Sequence, residues 1–416
     1  MKPAAKKIVV MGLGYIGLPT ASVLATKGYQ VLGVDIKRNA VDTINEGKIH
    51  IVEPDLDLLV KSAVNSGNLR ASLEPEEADV FILAVPTPFK KQDGEDTRVP
   101  DISYVEAATR KICPVLKGGD LVILESTSPV GTTKRIAEII KELRPELFDS
   151  PLPPPHDSPV HVAHCPERVL PGHILRELVD NDRVIGGIDI TSAEKARDLY
   201  KTFCNGQIFL TTSCTAEMTK LVENSYRDVN IAFANELSLI CDKLGVNVWE
   251  LIELANKHPR VNILRPGPGV GGHCIAVDPW FIVDAAPDQA RIIRVARQVN
   301  DTKPHWVIAR VKAKAARFRD PVIGCLGLAF KANIDDLRES PALEITRALI
   351  ADKVGRVMAC EPNSNGEFTE FPLYDLGRVI AESDILVVLV DHDEFKMIDR
   401  EGLKEKVVID TRGIWR

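Results

Sequence analysis

Short apolar runs alternate with helix-length amphipathic stretches along the first third of the chain. Residues 8–11 form an apolar run that ends in glycines, and residues 17–27 follow with helical spacing. Further apolar runs at 29–34, 79–85 and 120–124 read as strands. Strand and helix in alternation predict a parallel sheet covered on both faces. The prolines at 151–155 predict an exposed loop, too stiff for helix or central strand.

From 215 to 244 the pattern changes. Met218, Leu221, Val222, Val229, Ala232, Phe233 and Leu237 fall near helical spacing over a stretch far longer than the ~12-residue average helix. Helical patterns recur at 249–255 and 289–299. Between them Arg265-Pro266-Gly267-Pro268-Gly269-Val270-Gly271-Gly272 is too rich in glycine and proline for regular structure. After Pro321 the alternation returns, with strands at 322–328, 356–360, 385–390 and 407–410 and a helix at 342–351. The expectation is an α/β protein of two units joined by a long helical connection, with a site at their seam.

Composition narrows the partners. The 416 residues are 45% hydrophobic and 27% charged, enough for several cores. No apolar run approaches the ~20 residues that cross a bilayer, and the N-terminus lacks a signal-peptide pattern. A net charge of -7 speaks against a nucleic-acid partner held by bulk positive field. An anionic ligand would instead be gripped by particular Arg, Lys and backbone N–H groups. The eight cysteines are scattered without a CxxC pair, which predicts reduced thiols and a cytoplasmic protein.

Gly12-Leu13-Gly14-Tyr15-Ile16-Gly17 follows a strand and opens a helix, and Asp35 ends the next strand. Gly12 suits the tight turn, Gly14 lets the backbone approach a pyrophosphate, and Gly17 permits close helix–strand packing. The helix N-terminus offers N–H groups to the phosphates. Asp35 would accept a ribose diol and repel a 2′-phosphate, which favours NAD over NADP, with Lys37 and Arg38 weakening the preference.

Cys274 ends the glycine loop, where substrate atoms could come within covalent reach; a buried structural thiol is the plainer alternative. Lys220 and Asn224, four apart, share a helix face and could stabilise an oxyanion, or could be surface residues. Glu125-Ser126-Thr127 follows a strand, and Cys165-Pro166-Glu167-Arg168 places a carboxylate beside a proline; a turn cap and a surface ion pair are equally open. His161, His164 and Cys165 lack a second cluster with zinc-like spacing, so no metal is expected.

Together these segments resemble the UDP-glucose/GDP-mannose dehydrogenase family. The resemblance also rests on Val85-Pro86-Thr87-Pro88, Glu125 to Thr132, Pro166-Glu167-Arg168-Val169-Leu170-Pro171-Gly172, Glu217 to Asn224, Pro266 to Pro279, Phe330-Lys331, Arg338-Glu339-Ser340 and Asp410-Thr411-Arg412-Gly413. Residues 49–56, 230–241 and 266–282 point to the branch acting on UDP-N-acetylmannosamine. The family implies a Rossmann-like NAD domain at 1–210, a helical dimerisation domain at 211–300 and a Rossmann-like UDP-sugar domain at 301–416.

The implied reaction oxidises C6 of a UDP-N-acetylhexosamine from alcohol to carboxylate, reducing two NAD, for a surface polysaccharide. UDP-N-acetylmannosamine is the expected substrate and the gluco epimer the alternative. By motif position Cys274 would be the nucleophile, Lys220 and Asn224 the oxyanion stabilisers, Asp278 and Thr127 the holders of water, and Glu167 a general acid or base. The cofactor would meet Gly12, Gly14, Tyr15, Ile16, Gly17, Asp35, Pro86, Thr87, Thr127 and Arg338. The substrate would meet Glu167, Arg168, Val169, Lys220, Asn224, Gly271, Lys331 and Arg412, with Arg260 reaching it across a homodimer. A two-electron hydroxyacid dehydrogenase would share the cofactor fold without needing the thiol. A non-catalytic nucleotide-binding regulator would leave Cys274, Lys220 and Asn224 without purpose.

Overall fold

Alternation within the strands decides the architecture. In β1 (Lys7–Met11), Ile8 and Val10 enter one apolar layer while Val9 and Met11 enter the opposite one. Strands buried on both faces belong inside a sheet sandwiched by helices. The computed structural model describes residues 6–51, 53–92, 95–148, 159–170, 172–272, 274–364 and 368–415. Two compact units divide the chain, Met1–Val222 and Glu223–Arg416.

The first unit carries an eight-stranded sheet. Its strands are β1, β2 (Gln30–Val34), β3 (Leu69–Ser72), β4 (Val80–Leu83), β5 (Leu121–Leu124), β6 (His161–His164), β7 (Arg183–Gly187) and β8 (Ile208–Thr212). The spatial order is β3-β2-β1-β4-β5-β6-β7-β8. From β3 to β6 all pairings are parallel; β7 meets β6 antiparallel and pairs in parallel with β8. The order 3-2-1-4-5-6 is that of dinucleotide-binding sheets. The short hairpin Phe89–Gln92 with Glu95–Pro100 was not expected, because its strands carry no apolar run.

In the second unit four parallel strands, β9 (Val322–Leu326), β10 (Arg356–Cys360), β11 (Ile385–Val388) and β12 (Val407–Asp410), lie in the order β10-β9-β11-β12. Among the helices, α1 (Gly17–Thr26) and α2 (Thr132–Leu143) belong to the first unit. The long α3 (Ser213–Leu244) has 32 residues and contains the division between the units. The second unit adds α4 (Val248–Ala255), α5 (Asp278–Ala285), α6 (Arg291–Ala315) and α7 (Pro341–Ala351).

Expected and observed elements differ most in α6. The amphipathic pattern predicts a helix ending at 299, but it continues past Pro304 to Ala315. A proline inside a helix costs about 3 kcal/mol. Burial of Val307, Ile308, Val311 and Ala315 against Ile323, Ile385 and their neighbours outweighs that cost. Among the described residues no helix is long and apolar enough to cross a membrane.

Candidate active site

In the first unit the loops at the carboxyl edge of the sheet build a nucleotide cradle. Gly12 has φ +91, and a Cβ there would stand 2.6 Å from the Ala84 carbonyl oxygen. A Cβ on Gly17 would fall 1.8 Å from the Gly12 carbonyl oxygen, so the helix packs this closely only without a side chain. A Cβ on Gly14 would meet nothing within 4 Å, so this glycine leaves open space where a phosphate could approach. No side chain caps the N-terminus of α1 and no acid lies in its first turn, which leaves the positive end of its dipole unopposed.

Asp35 is held from two sides. One carboxylate oxygen accepts the Leu13 N–H at 2.9 Å and the other the Lys37 N–H at 2.9 Å. The acid is thereby fixed beside the glycine loop, as a ribose acceptor must be. His50, exposed to solvent, lies close by; desolvation lowers its pKa, opposed by the Asp35 charge. The cradle fits a dinucleotide by its open Gly14 face and its oriented acid.

Neighbouring loops knit the same edge together. Thr87 Oγ1 donates to the Thr127 carbonyl at 2.6 Å, and Ser126 Oγ donates to Val85 O at 2.6 Å. Glu217 of α3 accepts the Gly131 N–H at 2.6 Å and both the N–H (2.7 Å) and the hydroxyl (2.6 Å) of Thr133. That carboxylate caps α2 and anchors the start of the long helix one turn before Lys220.

Glu167 is buried rather than part of a surface ion pair. Its Oε2 lies 3.1 Å from Nη1 of Arg183, and its Oε1 accepts the Arg168 N–H at 2.8 Å. Buried Glu125 accepts Tyr200 Oη–H at 2.9 Å and Thr20 Oγ1–H at 3.2 Å. Burial, reinforced by the Glu167 charge, pushes Glu125 up to about 8, against the pull of Arg183. At neutral pH Glu125 is therefore a carboxylic acid, and the Arg183 cation serves the Glu167 carboxylate. Arg183 also sits 4.7 Å over the Tyr200 ring. Arg183 and Tyr200 had no local signal in the sequence, since each lies in an ordinary strand or helix pattern and meets Glu125 and Glu167 only through the fold. Val169 is half-buried, packed against the core that lines α1.

In the second unit the glycine loop is pressed onto the carboxyl end of the four-stranded sheet. A Cβ on Gly271 would come 2.3 Å from Glu339 O, and one on Gly272 would come 3.0 Å from the Phe330 ring. A Cβ on Gly267 would come 2.6 Å from Nη1 of Arg412. Without side chains at these glycines the loop packs directly onto Glu339, Phe330 and Arg412. Pro268, Gly269, Lys331, Asp391 and Arg412 share a small cleft with residues following β9 and β11. Ligands of open parallel sheets bind beyond such carboxyl ends. Arg412 is oriented by Asp391, its Nε donating to Oδ1 at 2.8 Å.

Cys274 opens the turn into α5. Its carbonyl accepts the N–H groups of Val277 (3.1 Å) and Asp278 (2.8 Å). Buried Asp278 in turn accepts the Asn224 amide at 2.5 Å, so the turn is fastened to α3. Of the eight cysteines Cys274 alone is exposed. Burial pushes Cys165, Cys325 and Cys360 each up to about 12, which disfavours their thiolates. Lys220 stands one turn before Asn224 and is half-buried.

Two expected residues lie apart from these contacts. Arg338 makes a two-point pair with Asp336, at 2.8 and 2.6 Å. Arg260 is exposed in the loop after α4, and its guanidinium meets no carboxylate among the described residues. His273, Pro171 and the prolines at 151–155 lie outside the described residues. Among the described residues no cluster of His, Cys, Asp and Glu could hold a metal.

Three family profiles match the chain in succession, all of the UDP-glucose/GDP-mannose dehydrogenase family. They are the NAD binding domain over residues 6–204, the central domain over 214–302 and the UDP binding domain over 324–416. An NDP-N-acetyl-D-galactosaminuronic acid dehydrogenase of Ralstonia nicotianae is 59% identical, covering 99% of this chain and 96% of the relative. A UDP-N-acetyl-D-mannosamine dehydrogenase of Escherichia coli is 56% identical over 98% of this chain and 99% of its own. Among solved structures, the UDP-D-ManNAc dehydrogenase from Pyrococcus horikoshii superimposes with a TM-score of 0.86 at 41% identity, covering 99% of this chain and 96% of that one.

Proposed function

Because the chain belongs to the UDP-glucose/GDP-mannose dehydrogenase family, we propose that it oxidises C6 of UDP-N-acetyl-D-mannosamine twice, yielding the mannosaminuronate for a surface polysaccharide. NAD is the cofactor. When bound, it supplies the hydride acceptor for each oxidation. The division of labour is cofactor binding by residues 1–210, dimerisation by 211–300 and UDP-sugar binding by 301–416.

The observation that carries the reading is one exposed thiol on a glycine loop packed beside Lys331 and Arg412. An aldehyde has no hydride to lose toward an acyl product until a nucleophile adds to it. The Cys274 thiolate adds to the C6 aldehyde, and a proton completes a thiohemiacetal. Loss of its hydride leaves a thioester, and water then releases the carboxylate and returns the thiol. Overall one primary alcohol and one water give one carboxylate, two transferred hydrides and three protons.

Within that sequence Lys220 and Asn224 stabilise the oxyanion, and the hydrogen bond from Asn224 to Asp278 orients the amide. Asp278 and Thr127 hold water. Glu167, kept next to Arg183, moves protons at the sugar. Lys331 and Arg412 grip the diphosphate and nucleotide side, while Arg338 serves the cofactor.

A homodimer fits the surface of α3. Tyr226, Phe233, Ile240 and Leu244 are exposed apolar residues at near-helical spacing along one face, a stripe a second copy would cover. Arg260 then reaches the partner's substrate. Accordingly Arg260→Ala raises the KM for the UDP-sugar at least tenfold while NADH binding, followed by its nicotinamide fluorescence, stays within twofold; unchanged steady-state kinetics would remove the cross-subunit role.

A second reading, the galacto epimer, is favoured by the name of the 59%-identical relative. Purified protein incubated with NAD and each of the manno, gluco and galacto UDP-N-acetylhexosamines decides. The expected result is two NADH per sugar, with the manno epimer consumed fastest. A stoichiometry of one, or preference for another epimer, overturns the corresponding part.

A further inference from the structure

A separate cavity of about 310 Å³ lies within the second unit, between α3, α6 and β12. That volume is at the lower end of small-molecule pockets, about 300–1,000 Å³. None of the groups assigned to the dehydrogenase reaction lines it. Its floor carries Lys303, whose side chain is almost wholly buried. The Lys303 ammonium donates to Ser238 Oγ and lies 4.2 Å over the Trp306 ring. No carboxylate among the described residues pairs with it.

The other charged groups on the wall are committed elsewhere. Arg310 pairs with Asp242. Asp410 accepts the N–H groups of Arg412 (2.9 Å), Gly413 (2.7 Å) and Trp415 (2.7 Å). Burial lowers the Lys303 amine to about 7, as befits an ammonium without its counter-ion. A buried cation of this kind is stabilised by a partner anion that enters the same low-dielectric space. Trp249 and Trp306 supply flat apolar walls beside it.

We infer that this cavity is a binding site for a small planar carboxylate, its anionic end on Lys303 and its apolar face against the tryptophans. The occupant also touches the Pro266–Gly267 peptide, whose Gly267 N–H is held by Asn235 Oδ1 at 2.8 Å. Binding here is therefore adjacent to the loop that leads to Cys274, yet independent of the reaction proposed above.

Benzoate is a suitable probe, read by tryptophan fluorescence and by calorimetry on the full chain. The expected result is saturable binding that weakens at least tenfold in Lys303→Met. In the unaltered protein affinity falls severalfold between pH 6 and 8.5, as Lys303 loses its proton; the other charged groups on the wall are Asp410 and the Arg310–Asp242 pair. No saturation, equal affinity in Lys303→Met, or affinity unchanged with pH would overturn the site. The pH series also stands if the variant fails to fold. Benzoate binding and NADH stoichiometry are separate measurements, so either proposal can fail alone.

Discussion

On the proposed mechanism Cys274→Ala makes very little uronate. Without the thiol the C6 aldehyde has nothing to carry it into the second oxidation, so carboxylate production falls by at least about 10³-fold, the scale on which a covalent nucleophile acts. The first oxidation does not use the sulfur, so slow formation of NADH and aldehyde persists. Mass spectrometry of the sugar product, with a carbonyl trap present, checks both halves. Cys274→Ser is expected to stall at the aldehyde or at a slowly hydrolysed oxygen ester. Two NADH per sugar from the alanine variant would show that the aldehyde reacts as its hydrate, without covalent capture.

Arg183→Met is the substitution with the largest expected cost in stability. Arg183 and Glu167 are both buried, with 3% and 4% of their side-chain surfaces exposed. Removing one partner of such a pair costs about 3–5 kcal/mol, because the other charge stays buried and unpaired. At about 2–4 °C per kcal/mol the melting temperature falls by roughly 10 °C. A shift of a degree or less would mean that Glu167 finds its proton or another donor at no cost.

Glu125 makes the same cluster sensitive to pH. Its folded value of about 8 stands above the ordinary 4.5, so the folded state holds this proton more tightly than the unfolded chain. Its contribution is full below about 4.5 and is lost as pH rises through 8. Thermal unfolding should therefore show a decline in stability between about pH 4.5 and 8 that flattens in Glu125→Gln, which keeps the neutral hydrogen-bonding shape. Parallel pH curves for the two proteins would separate Glu125 from that decline.

Much of this protein was legible in its residues. The glycine loop with Asp35, the alternating strands on either side of the long helix and the glycine approach to Cys274 all follow from local pattern. Each depends on neighbours within a few dozen positions and on the steric demands of single glycines. What pattern could not supply was long-range pairing. For Glu167 local pattern left a site carboxylate, a turn cap and a surface ion pair open, and the fold pairs it with Arg183 in the interior. The helical pattern reads as ending at 299, yet packing of the following turns carries α6 past Pro304 to Ala315.

The sequence by itself determined the cofactor fold and the family, and singled out the thiol on which the proposed chemistry rests, because period, glycine spacing and residue type act locally. Only the tertiary structure decided which charges share a low-dielectric interior. The Glu125–Glu167–Arg183–Tyr200 cluster and the Lys303–Ser238 contact draw together residues from 16 to 75 positions apart. Desolvation is a property of that enclosure, and no stretch of chain read alone contains it.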